Sequence, residues 1–222
     1  MHAELIAKAI RGICSPYIDL DEFMVKSKFH SKSVAKDVIR YLNHIGIGSY
    51  SRGVITFSRS DRLKTAIVAF EIGSDIERIS TGLSWRDFEA LTLEILRNFG
   101  YKAEVNVHFT KPRCEIDVIG INSTCAIVID CKHWKRSNLS LVSTYAKKQV
   151  SRTQQLIKRR TKSISFAIPA ILTLHSENVQ FINRVPIIPI NKFTSFLHNF
   201  QCNYQEMHLI YPEKENDTVD CS

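Results

Sequence analysis

Hydrophobic residues in the first part of the chain recur at the spacing of an α-helix in three separate runs. The first run ends before Pro16, the second covers Asp19 to Phe29, and the third follows Ser31, which can cap a helix. An alternating segment from Ser49 to Phe57 predicts a small hairpin that turns at Arg52-Gly53. The beginning of the chain is therefore expected to form a small unit of three helices and a hairpin.

The rest of the chain alternates between helix-spaced and strand-spaced runs. The predicted strands run from Tyr101 to Phe109, from Arg113 to a turn at Gly120 to Ser123, from Thr124 to Lys132, from Ser163 to Leu174 and from Val185 to Ile190. The predicted helices begin at Ser84, cover Val142 to Arg160 and Val179 to Asn183, and begin again at Asn191. Because helices separate several strands, we expect an α/β fold with a mixed central sheet flanked by helices.

Acidic residues lie within the two strands at the centre of the chain. Strict alternation of side chains places Asp117 on the face opposite Ile116 and Val118, and it places Asp130 and Lys132 on one face of the next strand. A carboxylate in an apolar strand is costly unless it is paired or binds a metal. Two acids and a lysine that meet on adjacent strands suit Mg²⁺-assisted hydrolysis of a phosphodiester.

These residues carry a family resemblance. Asp117, followed thirteen residues later by Asp130-Cys131-Lys132, resembles the D…(D/E)-X-K signature of restriction-endonuclease-like nucleases. The run Cys131-Lys132-His133-Trp134 is most similar to the Mrr-type restriction endonucleases, where C-K-x-W is common. The helix that opens with Trp85-Arg86-Asp87-Phe88-Glu89 is similar to the first helix of that family, and the resemblance extends from Leu83 to Phe200. Asp130 stands where Glu or Gln is usual in the family.

The resemblance implies a metal-dependent DNA endonuclease. Asp117 and Asp130 would bind Mg²⁺, with Mn²⁺ as a substitute, together with the main-chain carbonyl of Cys131. Lys132 would orient or deprotonate the attacking water and offset charge in the transition state. Glu89 would bind a second ion or order its waters. Nucleases of this kind work in pairs, so the resemblance also suggests a homodimer.

Two further polar residues are candidates for the catalytic site. Glu89 falls over Trp85 and Leu93, near the apolar side of its helix, and a metal or catalytic network would account for that placement. The alternative is that Glu89 reaches water at the rim of the apolar stripe. Gln149 flanks the apolar side of its helix, where the family often carries a Gln, and an ordinary surface Gln is equally compatible with the pattern.

The charge of the chain indicates a polyanionic partner. The formal net charge is +8, and three helices followed by a hairpin are the winged-helix pattern, whose third helix enters the major groove of DNA. Lys32, Lys36 and Arg40 form a stripe on that helix, and Arg52 lies at the hairpin turn. We therefore expect these four residues to bind DNA; the alternative is a basic face that is only solvated.

A second basic segment extends from Cys131 to Ser163 and holds ten Lys or Arg residues and no acid. Lys147, Lys148 and Arg152, on the predicted helix within it, are expected to neutralise phosphates. A solvated basic helix is the alternative, which the lack of interleaved acids disfavours.

Several other classes are excluded or disfavoured. No apolar run approaches the ~20 residues that span a bilayer, and the first residues lack a signal-peptide core, so we expect a cytoplasmic protein with no membrane partner. The six cysteines are scattered and include no C-x-x-C pair, which indicates reduced thiols. Cys125 and Cys131 would lie roughly 20 Å apart on one strand and cannot share a zinc ion.

The predicted organisation has four parts. They are a winged-helix DNA-binding domain at residues 1–72, a linker at 73–82, a restriction-endonuclease-like domain at 83–211, and an acidic tail at 212–222 that is expected to be disordered. The function expected from them is Mg²⁺-dependent cleavage of DNA. Two alternatives stay open: a DNA-binding protein with an inactive nuclease core, and a structure-selective nuclease such as a Holliday-junction resolvase.

Overall fold

The structure is a computed structural model that describes residues 2–123, 125–132, 139–160, 164–174 and 180–212. The helices are α1 (Ala3–Gly12), α2 (Leu20–Ser27), α3 (Lys32–His44), α4 (Asp61–Glu71), α5 (Ile76–Thr81), α6 (Trp85–Asn98), α7 (Leu139–Arg159) and α8 (Ile190–Asn203). The strands are β1 (Tyr17–Asp19), β2 (Ser49–Ser51), β3 (Val54–Thr56), β4 (Lys102–Thr110), β5 (Arg113–Asn122), β6 (Cys125–Lys132), β7 (Phe166–Thr173), β8 (Gln180–Ile182) and β9 (Val185–Pro189).

The N-terminal part contains the three helices and the hairpin that the sequence predicts. The hydroxyl of Ser31 accepts a hydrogen bond from the Val34 amide and caps α3. Strands β2 and β3 form the hairpin, which turns through two residues with positive φ, Arg52 and Gly53. The sequence pattern did not predict β1, which pairs with β3 and extends the hairpin to a three-stranded antiparallel sheet.

Residues 73–82, predicted as a linker, contain a packed helix. The Asp75 carboxylate accepts a hydrogen bond from the Arg78 amide and starts α5, and the side chains of Ile76 and Ile79 are buried. Helix α5 packs on α8, and α4 packs on α6. One continuous hydrophobic core consequently extends from the N-terminal helices into the C-terminal part.

The C-terminal part is built on a mixed sheet, as predicted, with six strands in the described residues in the order β4-β5-β6-β7-β9-β8. Strands β4, β5 and β6 follow one another in antiparallel pairs, whereas β6, β7 and β9 are parallel. Helices α6 and α8 cover one face of this sheet and α7 covers the other. Among the described residues, every helix is too short or too polar to span a bilayer.

Three local predictions were wrong. The turn after β5 lies later than expected, because β5 continues to Asn122, which pairs with Cys125. Residues 180–182 form strand β8 where a helix was predicted. Side-chain alternation also breaks in β5: Ile116 and Ile119 both pack toward α7, whereas Val118 packs toward α6.

The break in alternation coincides with a distortion in the neighbouring strand. Asn106 of β4 has a left-handed φ of 54°, and the regular pairs on either side of it are Val105 with Val118 and Val107 with Ile116. Asn106 therefore lies across from Asp117. An irregular residue of this kind bends a strand pair and re-aims its side chains, as β-bulges do. Asp117 lies at this break in the pattern, and its side chain reaches toward β6.

Candidate active site

The candidate site lies where β5 and β6 separate. Regular pairing between these strands ends at Val118 and Ile129, and the next residues toward the gap are Asp117 on β5 and Asp130 on β6. The Asp117 carboxylate bridges the gap, because its Oδ2 accepts a hydrogen bond of 2.8 Å from the amide of Cys131. The structure therefore brings the two strands of the sequence signature together through a direct contact.

Asp130 is buried between two cations. Its side chain is 1% exposed; Oδ1 lies 2.6 Å from Nη1 of Arg152, and Oδ2 lies 2.7 Å from Nζ of Lys132. Removing a carboxylate from water is costly, and the two cations offset that cost. Oδ2 nevertheless accepts no hydrogen bond of good geometry from the described residues, so its contact with Lys132 is purely an ion pair.

Lys132 is held by an aromatic ring as well as by Asp130. Its ammonium lies 5.1 Å from the centre of the Tyr145 ring, and the ammonium of Lys148 lies 5.6 Å from the same ring. Cations at these distances are attracted to the ring face. Helix α7 thus contributes an aromatic residue that positions Lys132, a contact that the sequence pattern did not predict.

Glu89 of α6 is largely buried, with 4% of the residue exposed, which disfavours the alternative in which it extends freely into water. Its pKa is raised from 4.5 to about 7, first by burial and then by the negative charges of Asp117 and Glu115. Glu89 lines an open groove of about 490 Å³ beside Trp85 and Asn106. The charge of Asp117 therefore acts on Glu89 across the space between α6 and β5.

The charged form of Asp117 is disfavoured by its surroundings. Burial and the nearby charge of Asp130 raise its pKa, while the hydrogen bond from the Cys131 amide and the charge of Lys132 lower it. Glu89 and Asp117 each lie in the field of a neighbouring carboxylate in a partly buried region. Such an arrangement favours a bound cation.

The sulfur of Cys131 is a poor candidate for a metal ligand. Its Sγ lies 3.8 Å from the Thr92 hydroxyl, and burial raises the pKa of the thiol well above its usual value. A thiol that stays protonated binds metal weakly. The four cysteines whose state is described, Cys14, Cys114, Cys125 and Cys131, are free thiols, as predicted.

Gln149 is a buried residue, and the surface alternative is wrong. It is 0% exposed, and its Nε2 donates a hydrogen bond of 2.8 Å to the carbonyl of Val128, two residues before Asp130. This bond ties α7 to the strand that carries the signature. Arg152 follows Gln149 by one helical turn, so both side chains reach β6 from the same helix.

The residues predicted to bind DNA lie in two places. On α3, Lys32 pairs with Asp21 and Arg40 pairs with Asp37, both at exposed positions. Lys36 is half-buried, whereas Arg52 at the hairpin turn and Lys147 and Lys148 on α7 are exposed. Arg152 differs from the prediction, because it contacts Asp130 rather than projecting freely toward solvent.

Two residues of the predicted motif, His133 and Trp134, lie outside the described residues. The tail from residue 213 also lies outside them. Within the described residues, no group of three or more His, Cys, Asp or Glu side chains is arranged closely enough to hold a metal ion by itself. Mg²⁺ does not require such a group, since it usually keeps several waters and binds one or two carboxylates.

Comparison with known proteins identifies the segment that contains this site. Residues 80–168 match the family model Mrr_cat, described as a restriction endonuclease, which confirms the predicted resemblance. No curated protein matches the chain significantly. Among solved structures, the chain is similar to protein VC1899 from Vibrio cholerae, with 12% sequence identity and a TM-score of 0.41. That match covers 92% of this chain and 50% of the other, so the chain spans about half the length of VC1899.

Proposed function

We propose that this chain, whose residues 80–168 match the Mrr_cat restriction endonuclease family, is a divalent-metal-dependent endonuclease that hydrolyses DNA phosphodiester bonds. The observation that carries the proposal is the contact between Asp117 and the Cys131 amide where β5 and β6 separate. It joins the two halves of the signature at one point, beside Lys132.

The residues present fit a hard divalent cation. Burial together with repulsion among acids raises the pKa values of Glu89 and Asp117. Asp130 Oδ2 faces the Lys132 ammonium at 2.7 Å but accepts no hydrogen bond of good geometry from the described residues. Asp117, Asp130 and the Cys131 carbonyl would hold Mg²⁺, or Mn²⁺ in its place, and Glu89 would hold a second ion or its waters. When bound, the ion supplies charge neutralisation and a more acidic water.

The protein's own groups have separate tasks in this proposal. The Lys132 ammonium, fixed by Asp130 and Tyr145, would stabilise the extra negative charge that develops on the phosphate as water attacks. Gln149 would fix the position of β6 through its bond to Val128. Phosphates of the duplex would be contacted by basic residues of α3, the hairpin and α7, namely Lys32, Lys36, Arg40, Arg52, Lys147 and Lys148.

The test is digestion of plasmid, methylated DNA and four-way junctions with Mg²⁺ or Mn²⁺, alongside an Asp117→Asn variant. We expect metal-dependent cleavage of at least one substrate by the wild type and none by the variant. A preference for junctions would identify a structure-selective nuclease. Sedimentation with and without duplex would test the proposed homodimer.

A second candidate is a DNA-binding protein with an inactive nuclease core. The observation that favours it is that Asp130, the shorter acid of the signature, is already paired with two cations. Tight DNA binding without cleavage in either metal, and without metal binding in calorimetry, would support this candidate over the first.

A further inference from the structure

The groove on the α7 side of the site is lined by three cations, one of which, Arg152, contacts Asp130. Arg113, Lys148 and Arg152 line this open groove of about 320 Å³, together with the polar side chains of Glu115 and Gln155. Among the described residues that line it, the cations outnumber the single carboxylate, so the groove suits an anionic ligand. A backbone phosphate of a DNA strand has that charge, and Arg can bind its oxygens in a bidentate manner.

Arg152 links this groove to the buried acid. Its guanidinium is 2.6 Å from Asp130 Oδ1, yet its side chain is 29% exposed, whereas that of Asp130 is 1% exposed. One end of the ion pair is therefore accessible from the groove and the other is not. An incoming phosphate can reach Arg152 without displacing the residues around Asp130.

We propose that the groove binds a backbone phosphate of the substrate and that Arg152 exchanges Asp130 for this phosphate, which frees Asp130 Oδ1 for the metal ion. The inference rests on the proposed function and adds to it that DNA and metal promote each other's binding. In the absence of DNA, Arg152 and the metal compete for the same carboxylate. Linkage requires that the effect be reciprocal, so DNA also binds more tightly when metal is present.

The exchange also has an electrostatic basis. A metal ion at Asp130 would lie beside both Lys132 and Arg152, and like charges in a partly buried site repel. Movement of Arg152 to a phosphate removes one of these charges from the carboxylate and places it against a new anion. Lys132 remains in place, because Tyr145 and Asp130 both hold it.

The test measures Mn²⁺ binding to the full chain by isothermal titration calorimetry, with and without a short duplex that carries non-cleavable linkages. Titrations of Mn²⁺ into the duplex alone and into Asp130→Asn define the background. In the wild type we expect the duplex to tighten Mn²⁺ binding about tenfold or more. In Arg152→Met we expect Mn²⁺ to bind more tightly than in the wild type when no duplex is present. The duplex should then increase the Mn²⁺ affinity of this variant by less than about threefold.

A matched control removes one positive charge elsewhere. Lys102→Met changes an exposed lysine of β4, and it should leave both Mn²⁺ affinities unchanged. If Arg152→Met does not fold, as judged by circular dichroism, Arg152→Lys carries the test. Lysine lacks the planar fork, so its weaker pairing with Asp130 should still tighten Mn²⁺ binding without duplex.

The outcomes distinguish the two proposals. If the wild type binds Mn²⁺ and cleaves DNA but the Arg152 variants show unchanged Mn²⁺ affinity and unchanged coupling, the exchange is wrong and the nuclease function stands. If the wild type neither binds Mn²⁺ nor cleaves any substrate, the proposed function itself is wrong, and the exchange is overturned with it.

Discussion

The two sides of the central sheet surround their acids differently. Glu89 on α6 and Asp117 at the gap between β5 and β6 lie near other carboxylates, and their pKa values are raised. On the α7 side, Asp130 is almost fully buried and is paired with Arg152 and Lys132. Among the described residues, neither Glu89 nor Asp117 forms an ion pair, whereas Asp130 forms two. The comparison indicates that a bound cation would be stabilised most at the boundary, where Asp117 and Asp130 meet.

The same comparison separates residues that supply charge from residues that hold the site together. Helix α6 contributes an acid, whereas α7 contributes Tyr145, Gln149 and Arg152, each of which contacts β6 or its lysine. Changes on the α6 side should therefore alter the charge of the site, and changes on the α7 side should alter the position of its groups.

The largest effect is expected at Asp117, where β5 and β6 separate. Asp117→Asn keeps the size of the side chain and removes the charge that would bind the ion, so cleavage should fall on the order of 10³-fold or more. Duplex affinity should stay the same or increase, because the variant removes a negative charge near phosphate. Single-turnover cleavage and fluorescence anisotropy measure the two quantities. Glu94→Gln, which removes a charge at a partly exposed pair on α6, is the control, and equal reductions in both variants would contradict the assignment of Asp117.

Lys132→Met should reduce cleavage by about 10² to 10³-fold, since a positioned cation that stabilises transition-state charge contributes at that level. The dependence of its duplex affinity on salt should remain that of the wild type. Tyr145→Leu should reproduce part of the reduction, because the lysine would then be held by Asp130 alone. A normal cleavage rate in Lys132→Met would show that Lys132 takes no part in the chemical step.

The sequence predicted the elements of this site better than their local geometry. Ser84 and Asp87 form the capping box that starts α6, and the acids of the signature lie on adjacent strands, because short-range patterns determine both features. Alternation failed at Asp117, which lies across from the left-handed residue Asn106 of β4. The pattern of a single strand contains no information about Asn106 across the sheet.

Long-range contacts account for the remaining differences. Arg152 was expected to face phosphate because its neighbours in sequence are basic, but its partner Asp130 is 22 residues away. The predicted linker broke the helical pattern, yet Ile76 and Ile79 are buried through contacts with distant helices. One feature of the sequence could have indicated that Arg152 contacts β6. Gln149 and Arg152 are spaced by one helical turn, which places both on the side of α7 that faces β6.

A smaller effect is expected far from this site, on α3. The double variant Lys36→Ala/Arg40→Ala should bind duplex more weakly. The slope of log K against log salt should become shallower by about 1 for each phosphate interaction that is removed, and therefore by about 2 for the double variant. Its cleavage rate at saturating enzyme should be close to that of the wild type. Anisotropy across a salt series measures the slope. An unchanged slope would indicate that the basic residues of α7, rather than those of α3, bind the duplex.

The smallest effect concerns stability on the α6 side. The pKa of Glu89 is raised from 4.5 to about 7, so the folded state holds a proton that the unfolded state releases between these pH values. The wild type should consequently lose stability as pH rises from about 4.5 to about 7, by at most about 3 kcal/mol. Glu89→Gln carries no such charge and should melt several degrees higher than the wild type above pH 7 in EDTA, with the difference vanishing near pH 4.5.

Glu94→Gln provides the control, because Glu94 lies on the same helix and pairs with Arg97 at a partly exposed position. It should change the melting temperature little at any pH. Adding Mg²⁺ above pH 7 should narrow the difference between wild type and Glu89→Gln, since a bound cation stabilises the charged carboxylate that the variant lacks. A difference that is independent of both pH and Mg²⁺ would mean that Glu89 is an ordinary buried residue and that the acids of the α6 side do not act together.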